Sequence, residues 1–417
     1  MTNMNKDIPY IEKLPNDWEM IQNRYLFKET KDKVGKEFKK YQLLSLTTKG
    51  IRRKDINAAG GKVPDSYENY QKVKKGQMVF CLFDLDCSAV FSGFSNLDGM
   101  ITSAYNVYDS TKLLTNEFAN YWFQYVFSNR YYKMYSKSIR YTITGDMFKS
   151  IKTPVPPMSK QVLISNFLDK KCSQIDKLMS IQEKQIENLK AYKQSLITET
   201  VTKGLNPDAE MKDSGIEWIG QINKNYNMVT INSLFTIKKN IIGKDPECVL
   251  SITQQGLKIK DISQNNGQMA QSYEKYQIVN KGDFAMNHMD LLTGWVDISK
   301  YDGVTSPDYR VFTLKDKNME RKYFLYVFQS YYKNKVFYGF GQGVSNMGRW
   351  RLPAVNFNKI TIPVPPIEEQ EKIVNYLDLK CNRIDKLIEI KQQKIEKLNE
   401  YKKSLIYECV TSKKEIN

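Results

Sequence analysis

The sequence predicts an α+β protein in which two mixed α/β modules are joined by two long helices, the whole chain forming an internal repeat. The first observation is a pair of PVPP strings, Pro154–Pro157 and Pro363–Pro366, 209 residues apart. The second is that each string opens a long proline-free segment, as an uninterrupted helix requires. The third is that short alternating runs and turn residues, typical of strands, precede each string.

The repeat covers most of the chain. Residues 154–204 and 363–413 align without a gap and share 27 identities over 51 positions. Weaker matches lie upstream: LLSLTTKGIRRKD at 43–55 resembles VLSITQQGLKIKD at 249–261, and SYENYQKVKKG at 66–76 resembles SYEKYQIVNKG at 272–282. The chain is therefore two tandem copies of a unit of roughly 208 residues, whose last quarter has barely diverged.

The segments after the PVPP strings predict helices from about Ser159 to Thr202 and from Glu368 to Thr411. Apolar residues recur there at steps of three and four, close to a heptad pattern. Polar residues interrupt it midway, Gln182 and Gln185 in the first copy and Lys391 and Lys394 in the second. Such a helix cannot bury its apolar stripe alone, so we expect the two copies to pack on each other; homodimerisation of two chains is the alternative. The stripe comprises Leu168, Ile175, Leu178, Leu189, Tyr192 and Leu196, with Leu377, Ile384, Leu387, Leu398, Tyr401 and Leu405 in the second copy.

The upstream portions are rich in tyrosine, phenylalanine, threonine and valine, punctuated by glycine and asparagine. This composition predicts short strands and turns. A helix is also predicted in each portion, around Asn116–Asn129 and Glu320–Tyr332.

Composition bounds the class of protein. No apolar run is long enough to cross a bilayer, and the first ten residues have no apolar stretch that would act as a signal peptide. The six cysteines form no CxxC pair, which argues against a disulfide framework or a zinc cluster and favours the cytoplasm.

The net charge of +17 favours a polyanionic partner, of which nucleic acid is the commonest in that compartment. Residues 159–203 carry eight Lys/Arg and five Asp/Glu, and residues 368–417 carry eleven and ten, so the two segments contribute only +4. The basic excess therefore lies in the two divergent modules. Two different basic modules on a shared helical frame indicate a reader of two nucleic-acid sequences.

The helix entry KITIPVPPIEEQEKIV, the duplicated IDKL segment and the string DSGIEWIG resemble the DNA-specificity subunit of type I restriction–modification enzymes. The resemblance covers essentially the full chain; the first copy departs from it only in having MSKQ where the second has IEEQ. It implies two target-recognition domains and an antiparallel pair of spacer helices. It also implies a double-stranded DNA target with two specific halves and a fixed gap.

The resemblance further implies partners and cofactors. Two methyltransferase subunits would bind this chain and methylate adenine at N6 with S-adenosylmethionine, and motor–nuclease subunits using ATP and Mg would complete the restriction enzyme. No cofactor or metal is expected in this chain. The domain boundaries that follow are residues 1–157 and 206–366 for the recognition domains, and 158–205 and 367–417 for the spacer helices.

The sequence offers little for catalysis. An adenine methyltransferase of this kind would carry an Asn-Pro-Pro-aromatic motif to hold the flipped base, and the string LNPDA at 205–209 lacks it. The glycine cluster at 339–350 lacks GxGxxG spacing, which favours a mobile loop over a cofactor site. His288 is the sole histidine, which excludes multi-histidine metal sites and argues against a catalytic triad. We expect no enzymatic activity from this chain alone.

Residues that contact DNA are predicted from chemistry and repeat position. Arginine pairs with guanine and Asn or Gln with adenine in the major groove, while lysines and hydroxyls mostly bind phosphates. Three stretches in each module combine such groups with turn residues. In the first module the candidates are Lys49, Arg52, Arg53, Ser103, Tyr105, Asn106, Arg140 and Tyr141. In the second they are Gln254, Gln255, Lys258, Lys260, Ser306, Asp308, Tyr309, Arg310, Gln342, Asn346, Arg349 and Arg351.

Some of these candidates have a purely structural alternative. Any one arginine is as well explained by a surface or ion-paired role, and the matched pair Arg140 and Arg349 equally by a framework role. Readers of different sequences should differ between copies, so Gln254 and Gln255, which replace Thr48 and Lys49, are the better candidates for base discrimination. Two other functions remain open: a stand-alone dimerising DNA-binding regulator, and a scaffold whose basic surface binds acidic proteins.

Overall fold

The computed structural model describes most of the chain. The residues outside its description are 1–7, 9, 12–13, 49, 56–65, 87–89, 137–140, 262–271, 344–349 and 417. None of the helices in the remaining ranges is both long enough and apolar enough to cross a membrane.

The chain divides into two compact units. Unit 1 comprises residues 1–182 and 393–417, and unit 2 comprises residues 183–392. Each unit therefore contains one upstream module, one end of the first long helix and one end of the second. The two units follow the same topology, as the repeat predicts.

Unit 1 holds ten described strands: β1 (Glu19–Gln22), β2 (Phe27–Thr30), β3 (Leu44–Thr47), β4 (Gly50–Arg53), β5 (Gln71–Val73), β6 (Met78–Phe80), β7 (Ser92–Phe94), β8 (Gly99–Ile101), β9 (Asn106–Ser110) and β10 (Lys152–Val155). Its helices are α1 (Asn23–Leu26), α2 (Asn116–Ser128), α3 (Gly145–Ser150) and the first part of α4 (Met158–Lys203), with 3₁₀ turns at Gly35–Lys40 and Tyr131–Tyr135.

Unit 2 holds twelve described strands: β11 (Met211–Asp213), β12 (Gln221–Asn223), β13 (Asn227–Thr230), β14 (Phe235–Lys238), β15 (Leu250–Thr253), β16 (Gly256–Ile259), β17 (Gln277–Val279), β18 (Phe284–Met286), β19 (Val296–Ile298), β20 (Gly303–Thr305), β21 (Arg310–Leu314) and β22 (Thr361–Val364). Its helices are the second part of α4, then α5 (Ile231–Leu234), α6 (Arg321–Lys333), α7 (Val336–Gly339), α8 (Ala354–Lys359) and the first part of α9 (Ile367–Val410).

A four-stranded antiparallel sheet organises each unit, in the order β2-β9-β6-β7 and, equivalently, β14-β21-β18-β19. Because side chains alternate across a strand, each sheet buries two faces. Phe80 and Tyr108 belong to the large aromatic core with α2, whereas Val79 and Val107 belong to a smaller core with the β3–β4 hairpin. Unit 2 repeats this division, so the hairpin is held against a rigid sheet in both copies.

The PVPP strings mark the passage from a strand into a long helix. Pro154 ends up on β10 opposite Met20, and Pro363 on β22 opposite Met228, in two-stranded ribbons where a missing N–H is tolerated. The glutamine that follows each string is almost completely buried. This glutamine makes equivalent hydrogen bonds in the two copies.

Gln161 and Gln370 tie each long helix to the module that precedes it. Gln161 Oε1 accepts from the Thr115 amide at 2.8 Å, and its Nε2 donates to the Leu113 and Pro156 carbonyls at 2.9 Å. Gln370 Oε1 accepts from the Glu320 amide at 3.0 Å, and its Nε2 donates to the Pro365 carbonyl at 2.9 Å. Each glutamine thus fixes the start of α2 or α6 against α4 or α9.

The two long helices confirm the predicted helical frame and pack antiparallel within each unit. In unit 1, Lys402 pairs with Asp176 at 2.7 Å; in unit 2, Lys193 pairs with Asp385 at 2.6 Å. These are the same contact with the copies exchanged, since each pair joins equivalent positions of the repeat.

The seam between the helices differs in part from the predicted stripe. Leu168 and Ile175 are buried as expected, but Leu178 and Tyr192 are 46% and 56% exposed. The least exposed positions instead follow one register, in which Leu168, Cys172, Ile175, Gln182 and Ile186 are buried and Met179, Leu189, Lys193 and Leu196 are half-buried. The prediction was wrong for Leu178 and Tyr192 because it omitted cysteine, methionine and glutamine from the stripe; Gln182, taken as an interruption, lies in the seam.

The buried glutamines generate a stability prediction. Gln161→Leu or Gln370→Leu keeps the volume of the side chain but leaves the backbone groups that the glutamine bonded without a partner. We expect the free energy of unfolding to fall by about 3 kcal/mol. Equilibrium urea denaturation of the purified chain measures the change. Gln392→Leu, at an exposed position of α9, is the matched control. Unfolding of Gln370→Leu at the same urea concentration as this control would show that the clamp adds nothing.

Candidate DNA-recognition surface

The first two predicted stretches of each module come together over the small core. In unit 1 this core joins Leu44 and Ile51 of the hairpin to Ile101 and Val107, with Tyr105 packed against it. In unit 2, Leu250 and Leu257 join Val311, with Tyr309 packed against them. The hairpin and the turn after β8 or β20 therefore share one face of the sheet.

The hairpins have the same geometry in both units. Gly50 and Gly256 adopt φ of +86° and +104°, a left-handed conformation that disfavours other residues. Thr47 Oγ1 donates to the Gly50 carbonyl at 2.7 Å, and Thr253 Oγ1 to the Gly256 carbonyl at 2.9 Å. The backbone turn is therefore the same in both units, while the side chains around it differ.

Those variable side chains are largely exposed. Arg52 and Arg53 are exposed on β4; in unit 2 Gln254, Gln255 and Lys258 are exposed and Lys260 is half-buried. Gln254 Nε2 donates to the Thr293 carbonyl at 3.3 Å, and Lys258 Nζ donates to Gln255 Oε1. Lys49 lies outside the described residues. The hairpin of unit 2 therefore presents amides at the turn and one lysine on β16, whereas that of unit 1 presents two guanidinium groups on β4.

A buried glutamine fixes the second stretch in each unit. Gln71 Nε2 donates to the Tyr105 carbonyl at 2.5 Å, and Gln277 Nε2 to the Ser306 and Tyr309 carbonyls at 3.1 and 2.7 Å. Among the predicted residues, Ser103 and Asp308 are exposed, whereas Tyr105, Asn106, Ser306 and Tyr309 are half-buried.

The third stretch lies beside the loop that follows β6 or β18. The Ile143 amide donates to the Leu82 carbonyl at 2.8 Å, and the Leu352 amide to the His288 carbonyl at 2.9 Å. Tyr141 is exposed, with Lys133 Nζ 4.1 Å from its ring centroid. Gln342 and Arg351 are exposed and exchange backbone hydrogen bonds. Arg140, Asn346 and Arg349 lie outside the described residues.

Sequence reasoning missed the loop Asp290–Gly294. Asp290 Oδ1 accepts from the Leu292 and Thr293 amides at 3.0 and 2.9 Å, which fixes the turn and leaves Leu292 62% exposed. Through Thr293 the loop contacts Gln254 of the hairpin. The asparagine, aspartate and glycine of NHMDLLTG were the available turn signal.

Arg310 does not lie at the surface where the sequence prediction placed it. It is 5% exposed; its Nη2 donates to the Leu352 carbonyl at 2.8 Å, and its guanidinium lies 4.6 Å from the Phe357 ring centroid. Its Nη1 and the Nδ1 of nearby His288 have no hydrogen-bond partner among the described residues. Burial, with Arg351 nearby, lowers the pKa of Arg310 to about 10.

Unit 1 fills the equivalent position differently. Asn106 Nδ2 donates to Glu29 Oε1 at 3.1 Å, and Lys149 Nζ lies 3.2 Å from Glu29 Oε2. Although burial opposes ionisation, these donors hold the pKa of Glu29 below its usual value. The first unit therefore has half-buried Asn106, bonded to a half-buried carboxylate, where the second has a buried cation.

Nothing in the described ranges provides a metal centre: no group of three or more His, Cys, Asp or Glu side chains is arranged to hold an ion. The chemistry available on the candidate surface is hydrogen bonding and charge, which suits recognition of a polyanion.

His288 predicts a pH dependence of stability. Burial, with Arg310 and Arg351 nearby, lowers its pKa from 6.5 to about 3. Between these values the unfolded chain binds a proton that the folded chain excludes, so stability is lost as the pH falls below 6.5. We expect the free energy of unfolding to drop by about 2 kcal/mol between pH 7 and pH 5 from this group. Urea denaturation across this range measures the slope, and His288→Gln should flatten it. Identical slopes in the two proteins would contradict the assignment.

Three comparisons place the chain among known proteins. Residues 223–400 match the type I restriction modification DNA specificity domain. The chain is 24% identical over 420 residues to the MjaX type I restriction enzyme specificity subunit of Methanocaldococcus jannaschii, covering 91% of this chain and 89% of the relative. It is 26% identical over 259 residues to the MjaVIII specificity subunit of the same organism, covering 58% and 57%.

The fold is also that of a solved chain from a study of complex assembly and conformational transition in the type I R-M system, with a TM-score of 0.66, 12% identity, and coverage of 95% of this chain and 98% of that one. Residues 223–400 therefore match a type I DNA specificity domain, and over 91% of its length the chain is similar to a type I specificity subunit.

Proposed function

We propose that this chain recognises a bipartite double-stranded DNA target, each unit reading one half, and directs partner subunits to methylate adenine. The observation that carries the proposal is a shared framework with different side chains at equivalent exposed positions. Lys258 and Ile259 occupy on β16 the positions that Arg52 and Arg53 occupy on β4. Because base identity is recognised through such side chains, two frameworks of one shape would read two sequences.

Charge supports DNA as the ligand. The long helices contribute only +4 of the net charge of +17, so the excess lies with the modules that carry the hairpins. Phosphate contacts from lysine and arginine supply much of the affinity of DNA-binding proteins. The chain would act in the cytoplasm, without catalytic groups or a cofactor of its own.

The long helices offer a surface for the methyltransferase partners. Leu178, Ile181 and Tyr192 of α4 are exposed, and so are their equivalents Leu387, Ile390 and Tyr401 of α9. Unit 1 carries Leu178, Ile181 and Tyr401, while unit 2 carries Leu387, Ile390 and Tyr192. Each unit thus has the same three exposed apolar side chains. Exposed apolar groups are typical of surfaces that bind a partner protein. Two equal trios imply two methyltransferase subunits per chain, to which motor–nuclease subunits would be added.

The helices would also set the gap between the half-sites. The ion pairs Asp176–Lys402 and Lys193–Asp385 fix one antiparallel register of α4 and α9. A fixed register gives a fixed helical frame, whatever residues the modules carry. Gap length should then depend on the helices and the half-sites on the modules.

Module replacement tests this division. If residues 206–366 are replaced by the corresponding module of a related subunit, we expect one half of the methylated motif to change while the other half and the gap persist. Sequencing of methylated adenine in DNA from cells that also express the partners gives the motif. Replacement of residues 1–157 is the reciprocal experiment. A change of both halves together, or of the gap, would refute the proposal, and absence of methylation with the unaltered chain would favour a stand-alone regulator.

Stoichiometry tests the docking surface. Ile181→Asp would bury an unpaired carboxylate in one interface and weaken docking roughly 100-fold. We expect one bound methyltransferase with Ile181→Asp or Ile390→Asp, and none with both. Native mass spectrometry of co-expressed complexes gives the count. Ser180→Asp, at an exposed neighbouring position, is the charge-matched control. Two methyltransferases on Ile181→Asp would show that the partner docks elsewhere.

A further inference from the structure

The buried guanidinium of Arg310 lies beneath the third recognition stretch of unit 2. Among the described residues, the charged side chain that acts on it is Arg351, also a cation, and the aromatic groups near it are Tyr332 and Phe357. A buried cation without a carboxylate is costly to the fold. A methionine or leucine would occupy similar space without that cost, so a role for the cation beyond stability is worth seeking.

What the guanidinium holds is the backbone of Leu352. The Leu352 carbonyl accepts from Arg310 Nη2 at 2.8 Å, and its amide donates to the His288 carbonyl at 2.9 Å. The peptide groups on either side of this residue are therefore tied to two different strand ends. Arg351, the adjacent residue, is exposed and bonded to Gln342 through the backbone. Arg310 is thus one of the contacts that fix the backbone beside two predicted DNA-contacting residues, together with the His288 carbonyl and the hydrogen bond from Trp350 Nε1 to the Tyr338 carbonyl.

Unit 1 shows that the framework does not require this anchor. Asn106 occupies the equivalent position at the start of β9 and donates to Glu29, and the Ile143 amide still donates to the Leu82 carbonyl. Leu82 itself replaces His288. The backbone contact is common to both units, whereas the polar residue at the start of β9 or β21 differs: Asn106 is half-buried and Arg310 is buried.

We propose that Arg310 is a positioning residue for base selectivity: from beneath the surface, its guanidinium sets the geometry of the segment 350–352 and so determines which bases the second half-site accepts. This inference rests on the proposed function and deepens it. It replaces direct base contact by Arg310 with control of the residues that reach the DNA.

The test compares Arg310→Met and Arg310→Lys with the unaltered chain, each co-expressed with its partner subunits, by sequencing methylated adenines. Arg310→Met keeps the volume and removes the donors. We expect its second half-site to accept additional bases, with discrimination at one or more positions reduced about tenfold or more. The first half-site and the gap should not change. Arg310→Lys keeps the charge and one donor, and should relax the motif less.

Controls separate positioning from simple loss of stability. Lys333→Met removes an exposed cation from the same unit, near Trp295, and should leave the motif intact. Asn106→Ala should relax only the first half-site. Reduced methylation at all sites with an unaltered motif would overturn the proposal, because that is the signature of a merely structural residue.

The variants also distinguish a failure to fold from a change in base selectivity. Should Arg310→Met fail to accumulate as folded protein, Arg310→Lys decides, and an unaltered motif with that variant would overturn the inference. If the unaltered chain gives a bipartite motif and none of these variants changes its second half, the inference fails while the proposed function stands. If the unaltered chain gives no bipartite motif, the proposed function itself fails.

Discussion

The seam between the two long helices is the constraint on which the rest of the structure depends. An amphipathic helix of about 45 residues cannot remain in water with its apolar face bare. Within unit 1, Ile164, Leu168 and Cys172 of α4 belong to one core with Leu405 and Cys409 of α9. Neither module therefore completes its core from its own copy of the repeat. Tandem duplication in one chain provides both helices at equal concentration and in a fixed register.

The same junction between module and helix appears in both copies. Tyr121 donates to Asp169, and Tyr326 donates to Asp378, each at 2.7 Å. Together with the buried glutamines Gln161 and Gln370, these contacts explain why the end of each copy has barely diverged. A substitution in the helix must satisfy the module, the opposite helix and the exposed partner surface at once. The outer parts of the modules are under no such combined constraint.

Much of this architecture could be predicted from the sequence because it is periodic or repeated. The helices α2, α4, α6 and α9 and the hairpin turns at Gly50 and Gly256 follow from spacing and turn chemistry. The depth of individual side chains could not be predicted. Arg310 follows a turn that resembles its partner in unit 1, yet it is buried, and no local pattern distinguishes a buried guanidinium from an exposed one. Leu178 and Tyr192 show the converse error, since apolar residues beside a seam have the same spacing as residues within it.

The contrast between Arg310 and the Asn106–Glu29–Lys149 network bears on how modules of one fold come to read different sequences. If only exposed residues determined selectivity, the residues beneath them could be apolar and alike in both units. The sheets and the large aromatic cores are alike in this way. Instead the residue at the start of the equivalent strands β9 and β21 differs: Asn106 is half-buried beside Glu29, whereas Arg310 is buried and bonded to Leu352. A buried ion is held in one geometry by the high energy of leaving it unsatisfied. A polar support is therefore a suitable means of fixing the backbone from which exposed Arg351 projects, in addition to the packing of Trp350 and Leu352.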